Sequence, residues 1–180
     1  MIEFFMTQGV SIVEVPEITA GCWVNAVKPT GSEIEFLANE LNVPLDFFKA
    51  ALDEEESSHI ETEDGNSLII VDIPVAETED NNIQYTTMPV GIIMSEKAIV
   101  TVTLKETLII NEFKDGLVKN VNTKMKTQFL LNLLLRIATR FLIHLKQIDK
   151  ISNHFERLLH KSMKNKELIQ LLGLDRKSVV

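Results

Sequence analysis

Four consecutive acids, Asp53, Glu54, Glu55 and Glu56, are the most concentrated negative charge in this chain. Carboxylate oxygens suit a hard cation such as Mg²⁺, which takes one or two carboxylates and keeps several waters. Consecutive helical residues point about 100° apart, so four adjacent acids cannot all face one ion while a helix persists. The run also follows an apolar helical pattern, and negative charge at a helix C-terminus is unfavourable by roughly 0.3–1 kcal/mol. Two readings stand: a solvated helix-to-strand junction, or a cation-sensitive surface to which Asp53, Glu54, Glu55 and Glu56 contribute.

Other chemistry finds little footing. His59, His144, His154 and His160 show no HExxH or compact ligand spacing, which leaves zinc catalysis without support. No GxxxxGK[ST], GxGxxG or GxSxG stretch occurs, and the expectation is that the protein is not an enzyme. The single cysteine, Cys22, excludes an intrachain disulfide and a cysteine-based metal cluster. It sits between Gly21 and Trp23 in strand-like sequence and reads as buried.

The elements that must position the acids follow from pattern. "GCWVNAVKPT" has strand character and stops at Pro29. In "TGSEIEFLANELNVP", early acids favour the positive end of a helix dipole, Thr30 or Ser32 caps the start, and Asn42 and Pro44 end it. "PLDFFKAALDEEE" gives a second helix with Leu45, Phe48, Ala51 and Leu52 on one face, making a helical hairpin. Two strands turn at Asp64-Gly65-Asn66, "ETEDNN" from Glu77 to Asn82 reads as an exposed connection, and two further strands follow. Ile99, Thr101 and Thr103 alternate with Val100, Val102 and Leu104, which predicts one face on a core and one on solvent.

From about Lys124 apolar residues recur at three- and four-residue steps with no Pro or Gly until Gly173, predicting a long helix interrupted near Ser162 to Asn165. Its most apolar stretch, Phe129 to Leu145, contains Asn132, Arg136, Arg140 and His144, whereas a spanning helix needs about 20 mainly apolar residues, so no membrane span is predicted. The ending Ser178-Val179-Val180 stops in mid-pattern, as in a fragment of a longer protein. No charged-then-apolar leader opens the chain, which fits a cytosolic setting.

Charge divides the chain sharply. Residues 1–115 hold 5 Lys/Arg against 22 Asp/Glu, a balance of −17; residues 116–180 hold 13 against 4, a balance of +9, and together these make the net −8. The reading is of two parts, an α/β/α domain over 1–115 and a long helical region over 116–180. The fold class is α+β, an α/β/α sandwich with a mainly antiparallel sheet. The basic residues Arg136, Arg140, Lys146 and Lys150 lack interleaved aromatics for base stacking, so no nucleic acid is expected as a partner.

The ordered segments "CWVNAVKPTGSEIEFLANELNVPLDFFKAALDEEESSHIE", "SLIIVDIPV", "VGIIMSEKAIVTV", "TLIINEF" and "TQFLLNLLLRIATRFLIHLKQIDKISNHFERLL" resemble the cytoplasmic amino-terminal part of the CorA family of divalent-cation transporters. The resemblance implies a homo-oligomer, a pentamer in the complete protein, and conduction of Mg²⁺, with Co²⁺ or Ni²⁺ also carried. It implies a cell-membrane location reached through a missing C-terminal segment, with these residues on the cytoplasmic side. The family's Gly-Met-Asn tripeptide is not in the sequence, and these 180 residues are not expected to form a pore.

In family members, intersubunit regulatory Mg²⁺ uses an acid from a final helix that has no counterpart here. The other regulatory carboxylate aligns at Lys49 or Ala50, with Asp46 and Asp53 as neighbours. The resemblance implies that bound Mg²⁺ neutralises facing acids and holds a closed ring, shifting the equilibrium by its differential affinity for the two states. The expected function is a regulatory, ion-sensing domain of a magnesium/cobalt transporter, with Mg²⁺ as a weak ligand and Co²⁺ as an alternative. The competing expectation is a soluble adaptor whose basic amphipathic helix binds an acidic protein or membrane surface.

Overall fold

The computed structural model describes the backbone of residues 1–79 and 82–175 and the side chains of 1–78 and 83–166. Chain order is β1 (Ile2–Gln8), β2 (Ser11–Val15), β3 (Cys22–Val27), α1 (Gly31–Leu41), α2 (Leu45–Ala51), β4 (His59–Glu63), β5 (Asn66–Glu79), β6 (Asn82–Met94), β7 (Ala98–Thr103), α3 (Leu108–Lys114) and α4 (Lys126–Asp175). The strands form one sheet in the order β2-β1-β3-β7-β6-β5-β4. Every neighbouring pair is antiparallel except β3 and β7, which run parallel with Cys22 opposite Ala98 and Val27 opposite Thr103.

Alternation along the strands builds two cores. Cys22, Val24, Ala26, Leu68, Ile70, Ile93, Val100 and Val102 face Leu37 and Leu41 of α1 and Phe47, Phe48 and Ala51 of α2. On the opposite face, Phe5, Trp23, Ile69, Ile92 and Ile99 meet Ile109, Ile110 and Phe113 of α3 and Phe129, Leu133 and Ile137 of α4. This is the α/β/α arrangement the pattern predicts.

Particular elements depart from expectation. All six residues of β7 are buried, because helices cover both faces of the central strands and leave no solvent side. The buried Thr103 hydroxyl has no hydrogen-bond partner among the described residues, whereas Thr101 is partnered: Trp23 Nε1 donates to Thr101 Oγ1 at 2.9 Å, and Thr101 Oγ1 donates to Asn25 Oδ1 at 3.1 Å. From there Asn25 Nδ2 donates to Glu3 Oε2 at 3.0 Å, and Lys114 Nζ donates to the same carboxylate at 2.8 Å. The strands β1 and β2 and the helix α3 have no counterpart in the sequence reading above. Both strands of the Glu77–Asn82 stretch run further than predicted, with Glu79 paired to Asn82.

Helix α4 is continuous from Lys126 to Asp175, without the predicted interruption at Ser162–Asn165, since that stretch contains neither Pro nor Gly to stop it. The terminal Ser-Val-Val lies outside the described residues. Within α4 one stretch is long and apolar enough, by length and composition alone, to cross a membrane. Phe129, Leu133 and Ile137 of its first turns, all at most 5% exposed, pack into the core of the sheet, while Leu131, Leu135, Leu142 and Leu145 are exposed.

The chain divides into two compact units, Met1–Phe141 and Leu142–Val180. Residues 116–141 belong with the sheet, beyond the boundary at 115 read from charge. Thr7 N donates to Thr123 Oγ1 and Thr123 N donates to Thr7 Oγ1, each at 3.0 Å, which ties the approach to α4 onto β1. The second unit, over its described side chains, is one helix exposed on nearly all sides. At 100° per residue, Lys146, Lys150, Arg157, Lys161 and Lys164 fall in a sector of about 60°, opposite a row containing Leu145, Ile148, Ile151, Phe155, Leu159 and Met163.

Candidate functional site

The acidic junction is placed by α1 and α2. Thr30 caps α1 with a capping box: its Oγ1 accepts from Glu33 N at 3.3 Å, and Glu33 Oε2 accepts from Thr30 N at 2.8 Å. That backbone bond, with the amino terminus nearby, holds the Glu33 carboxyl below the usual carboxylate range. Asn42 ends α1 in the left-handed conformation. Then α2 buries Phe47, Phe48 and Ala51. It crosses β6 at Gly91, where an added Cβ would stand 2.2 Å from the Ala51 Cβ, so only glycine lets the helix approach the sheet this closely.

The four predicted residues emerge directly from this pinned end. The backbone unwinds after Leu52, with Asp53 N donating to Ala50 O at 3.2 Å and Glu56 N to Asp53 O at 3.3 Å. Asp53 Oδ1 accepts from Glu55 N at 2.9 Å, so this carboxylate closes its own turn. Asp53, Glu54 and Glu55 are exposed, while half-buried Glu56 lies 3.7 Å from His59 Nδ1. Asp46 is committed to Lys49 at 2.8 Å. The four acids are thus adjacent but divergent, and among the described residues no three His, Cys, Asp or Glu side chains are placed to hold a metal together. A magnesium ion at this surface would therefore take one or two of these carboxylates and keep most of its water.

Two open cavities flank the β4–β5 turn. One, of about 510 Å³, is lined by Glu35, Asn39, Glu63 and Asp64 among others. The second, about 500 Å³, is lined by Asn66, Ser95, Glu96, Lys97 and Lys126 among others; here Lys126 Nζ donates to Glu96 O at 2.9 Å and Lys97 Nζ to Glu40 O at 2.6 Å. Glu35 and Glu63 were not singled out by the sequence, because they come from separate elements and only the fold makes them neighbours.

The most committed charges lie elsewhere. Glu112 on α3 is buried and accepts from Arg136 Nε and Arg140 Nη2 on α4. Arg136, followed by Arg140, holds the Glu112 carboxyl below the usual carboxylate range, and Glu112 in turn raises the Arg136 guanidinium. Two of the basic residues weighed above for nucleic-acid binding are therefore already paired within the fold. Cys22 is fully buried, as read, and burial pushes its thiol up.

A family profile described as CorA-like Mg²⁺ transporter protein matches residues 19–180. No curated protein sequence matches. Among solved structures, the soluble domain of CorA from Methanocaldococcus jannaschii is similar at TM-score 0.72 and 19% identity, over 88% of this chain and 64% of that one. The complete CorA magnesium transporter from the same organism is similar at TM-score 0.66 and 18% identity, over 83% and 48%. The ZntB cytoplasmic domain from Vibrio parahaemolyticus is similar at TM-score 0.65 and 14% identity, over 85% and 64%. This chain spans less than two thirds of the length of each, and at these identities the likeness is one of fold.

Proposed function

The chain belongs to the CorA-like Mg²⁺ transporter family, and from that membership we propose that it is the cytoplasmic regulatory domain of a divalent-cation transporter. In the complete protein the domain works as part of a homo-oligomer, a pentamer, at the cell membrane, with Mg²⁺ carried and Co²⁺ as an alternative cargo. The observation that carries this reading is the extent of the family match, which runs through the sheet, the acidic junction and the long helix.

Ion sensing is assigned to the acidic part of the first unit. The charge of −17 over residues 1–115 supplies repulsion that a bound cation relieves. Asp53, Glu54, Glu55 and Glu56 are the surface proposed to meet a hydrated Mg²⁺ or Co²⁺ ion, shared with a neighbouring subunit. Since no three acids converge among the described residues of one copy, the proposed ligand is a weak one.

The test is the thermal midpoint of the chain in chelator, Mg²⁺, Co²⁺ and Ca²⁺ at matched ionic strength. A ligand bound only by the folded state raises apparent stability by mass action. The expected result is a rise specific to Mg²⁺ or Co²⁺ that is lost when Asp53 to Glu56 become Asn and Gln. No rise for any ion removes sensing from this chain. A second reading, an adaptor that binds an acidic protein or membrane surface, draws on the cation row from Lys146 to Lys164. Sedimentation with anionic but not neutral vesicles would favour it.

A further inference from the structure

We propose that Glu112 is a positioning residue, a charge latch that holds the α4 turn from Arg136 to Arg140 against α3. The inference concerns the first unit alone and does not depend on the transport reading.

Apolar packing fades along this part of α4. Exposure rises from 0% at Phe129 to 1% at Leu133 and 5% at Ile137, and Phe141 is only partly buried. Where packing thins, charge takes over. Arg136 and Arg140, one helical turn apart, lie on one face and reach the same carboxylate. Arg136 Nε donates to Oε2 and Arg140 Nη2 to Oε1, so each oxygen of Glu112 is engaged by a different turn of α4.

The anchor itself is rigid. α3 is seven residues long, capped by Thr107, whose Oγ1 accepts from Ile110 N at 3.2 Å, and its Ile109, Ile110 and Phe113 sit in the core. On its other side Lys114 pairs with Glu3 of β1 at 2.8 Å. The sheet thus fixes α3, and beyond the shared apolar cluster α3 holds the Arg136–Arg140 turn of α4 through one carboxylate.

The arrangement is unbalanced, two guanidiniums to one carboxylate, and Arg140 Nε is buried without a partner. Neutralising Glu112 therefore does more than delete two bonds. It leaves two like charges one turn apart, partly withdrawn from water, which drives the turn away from α3. This is a latch that opens when its negative charge is lost, not a passive contact.

Hydrogen exchange on the whole chain tests it. Glu112→Gln should lower the protection of the amides of residues 137–141 at least tenfold, while β3 and β7 amides keep theirs. Adding Arg136→Met and Arg140→Met to Glu112→Gln should restore most of that protection, because the stranded charges are gone. Protection within twofold of wild type in Glu112→Gln overturns the latch, as does a triple variant no better protected than the single one. Should Glu112→Gln fail to fold, Arg136→Met with Arg140→Met, which leaves the buried Glu112 carboxylate without its two partners, must lower protection at residues 137–141; unchanged protection there overturns the proposal.

Discussion

The two helical layers on this sheet are held by different means. The α1/α2 layer is joined by short loops, carries its own cap at Thr30 and Asn42, and meets the sheet through an uninterrupted apolar face with one close approach at Gly91. The α3/α4 layer has an aromatic cluster at its centre, where Trp23, Phe113 and Phe129 rings lie 5.1 to 6.3 Å apart. Around that cluster are long-range ionic contacts, Glu3 with Lys114 and Glu112 with Arg136 and Arg140. The first layer leans on local caps and one close approach, its long-range ion pairs being Lys97 with Glu40 and the amino terminus with Glu33; the second adds the less exposed pairs of Glu3 and Glu112 to its aromatic packing.

The largest break in the charged layer should come from its apolar centre. Phe129→Ala removes the ring shared by Trp23 and Phe113 and should cost about 3–5 kcal/mol, read from denaturant unfolding. In the other layer Gly91→Ala forces a methyl against Ala51, with an expected loss of about 1–3 kcal/mol by the same measurement.

Acid should act on both layers, through Glu3 and Glu112 in the charged one and through the Glu33 cap in the other. Burial alone would raise the Glu3 carboxyl, but the hydrogen bonds from Lys114 and Asn25 and the Lys114 charge outweigh it and hold it low; Glu112 is held low by Arg136 and Arg140. Folded-state values below the unfolded ones mean stability that is complete above the ordinary carboxylate range and lost as pH falls through the lowered values. The thermal midpoint should therefore drop below that range, and Glu3→Gln with Glu112→Gln should flatten the drop. Persistence of the full drop in that double variant would place the acid-sensitive groups elsewhere.

Smaller effects sharpen the contrast. Thr30→Ala removes one side of the capping box and should cost about 1 kcal/mol, seen as a lower denaturant midpoint with unchanged slope. Replacing Asp53 to Glu56 by Asn and Gln should change stability without added cation by less than about 0.5 kcal/mol, since three of the four are exposed. A larger change would give the run a structural role.

What the sequence shows follows the same division. Thr30, Asn42 and the Asp64-Gly65 turn act over a few residues, and their elements fall where the pattern puts them. β1 and β2 are legible in hindsight from Gly9, which turns the chain at φ 64° between two strand-like runs. Thr101 and Thr103 of β7 imitate a solvent-facing row, yet both are interior, and Trp23 and Asn25 from another strand partner Thr101 there. Glu112 has partners 24 and 28 residues later, a pairing that periodicity cannot reveal. The acidic run is conspicuous in the sequence because it is contiguous, yet in space its members diverge.

The parallel β3–β7 pair also sets an order of events during synthesis. Cys22 must wait for Ala98, 76 residues later, before its strand gains that neighbour. At about 5–20 residues per second this leaves the β3 edge open for roughly 4–15 s on the ribosome. Over that interval β1, already synthesised, can shield one side of an almost wholly apolar strand. Closing so long a loop is entropically slow, so the nascent chain has a window in which β3 is exposed to pairing with other chains.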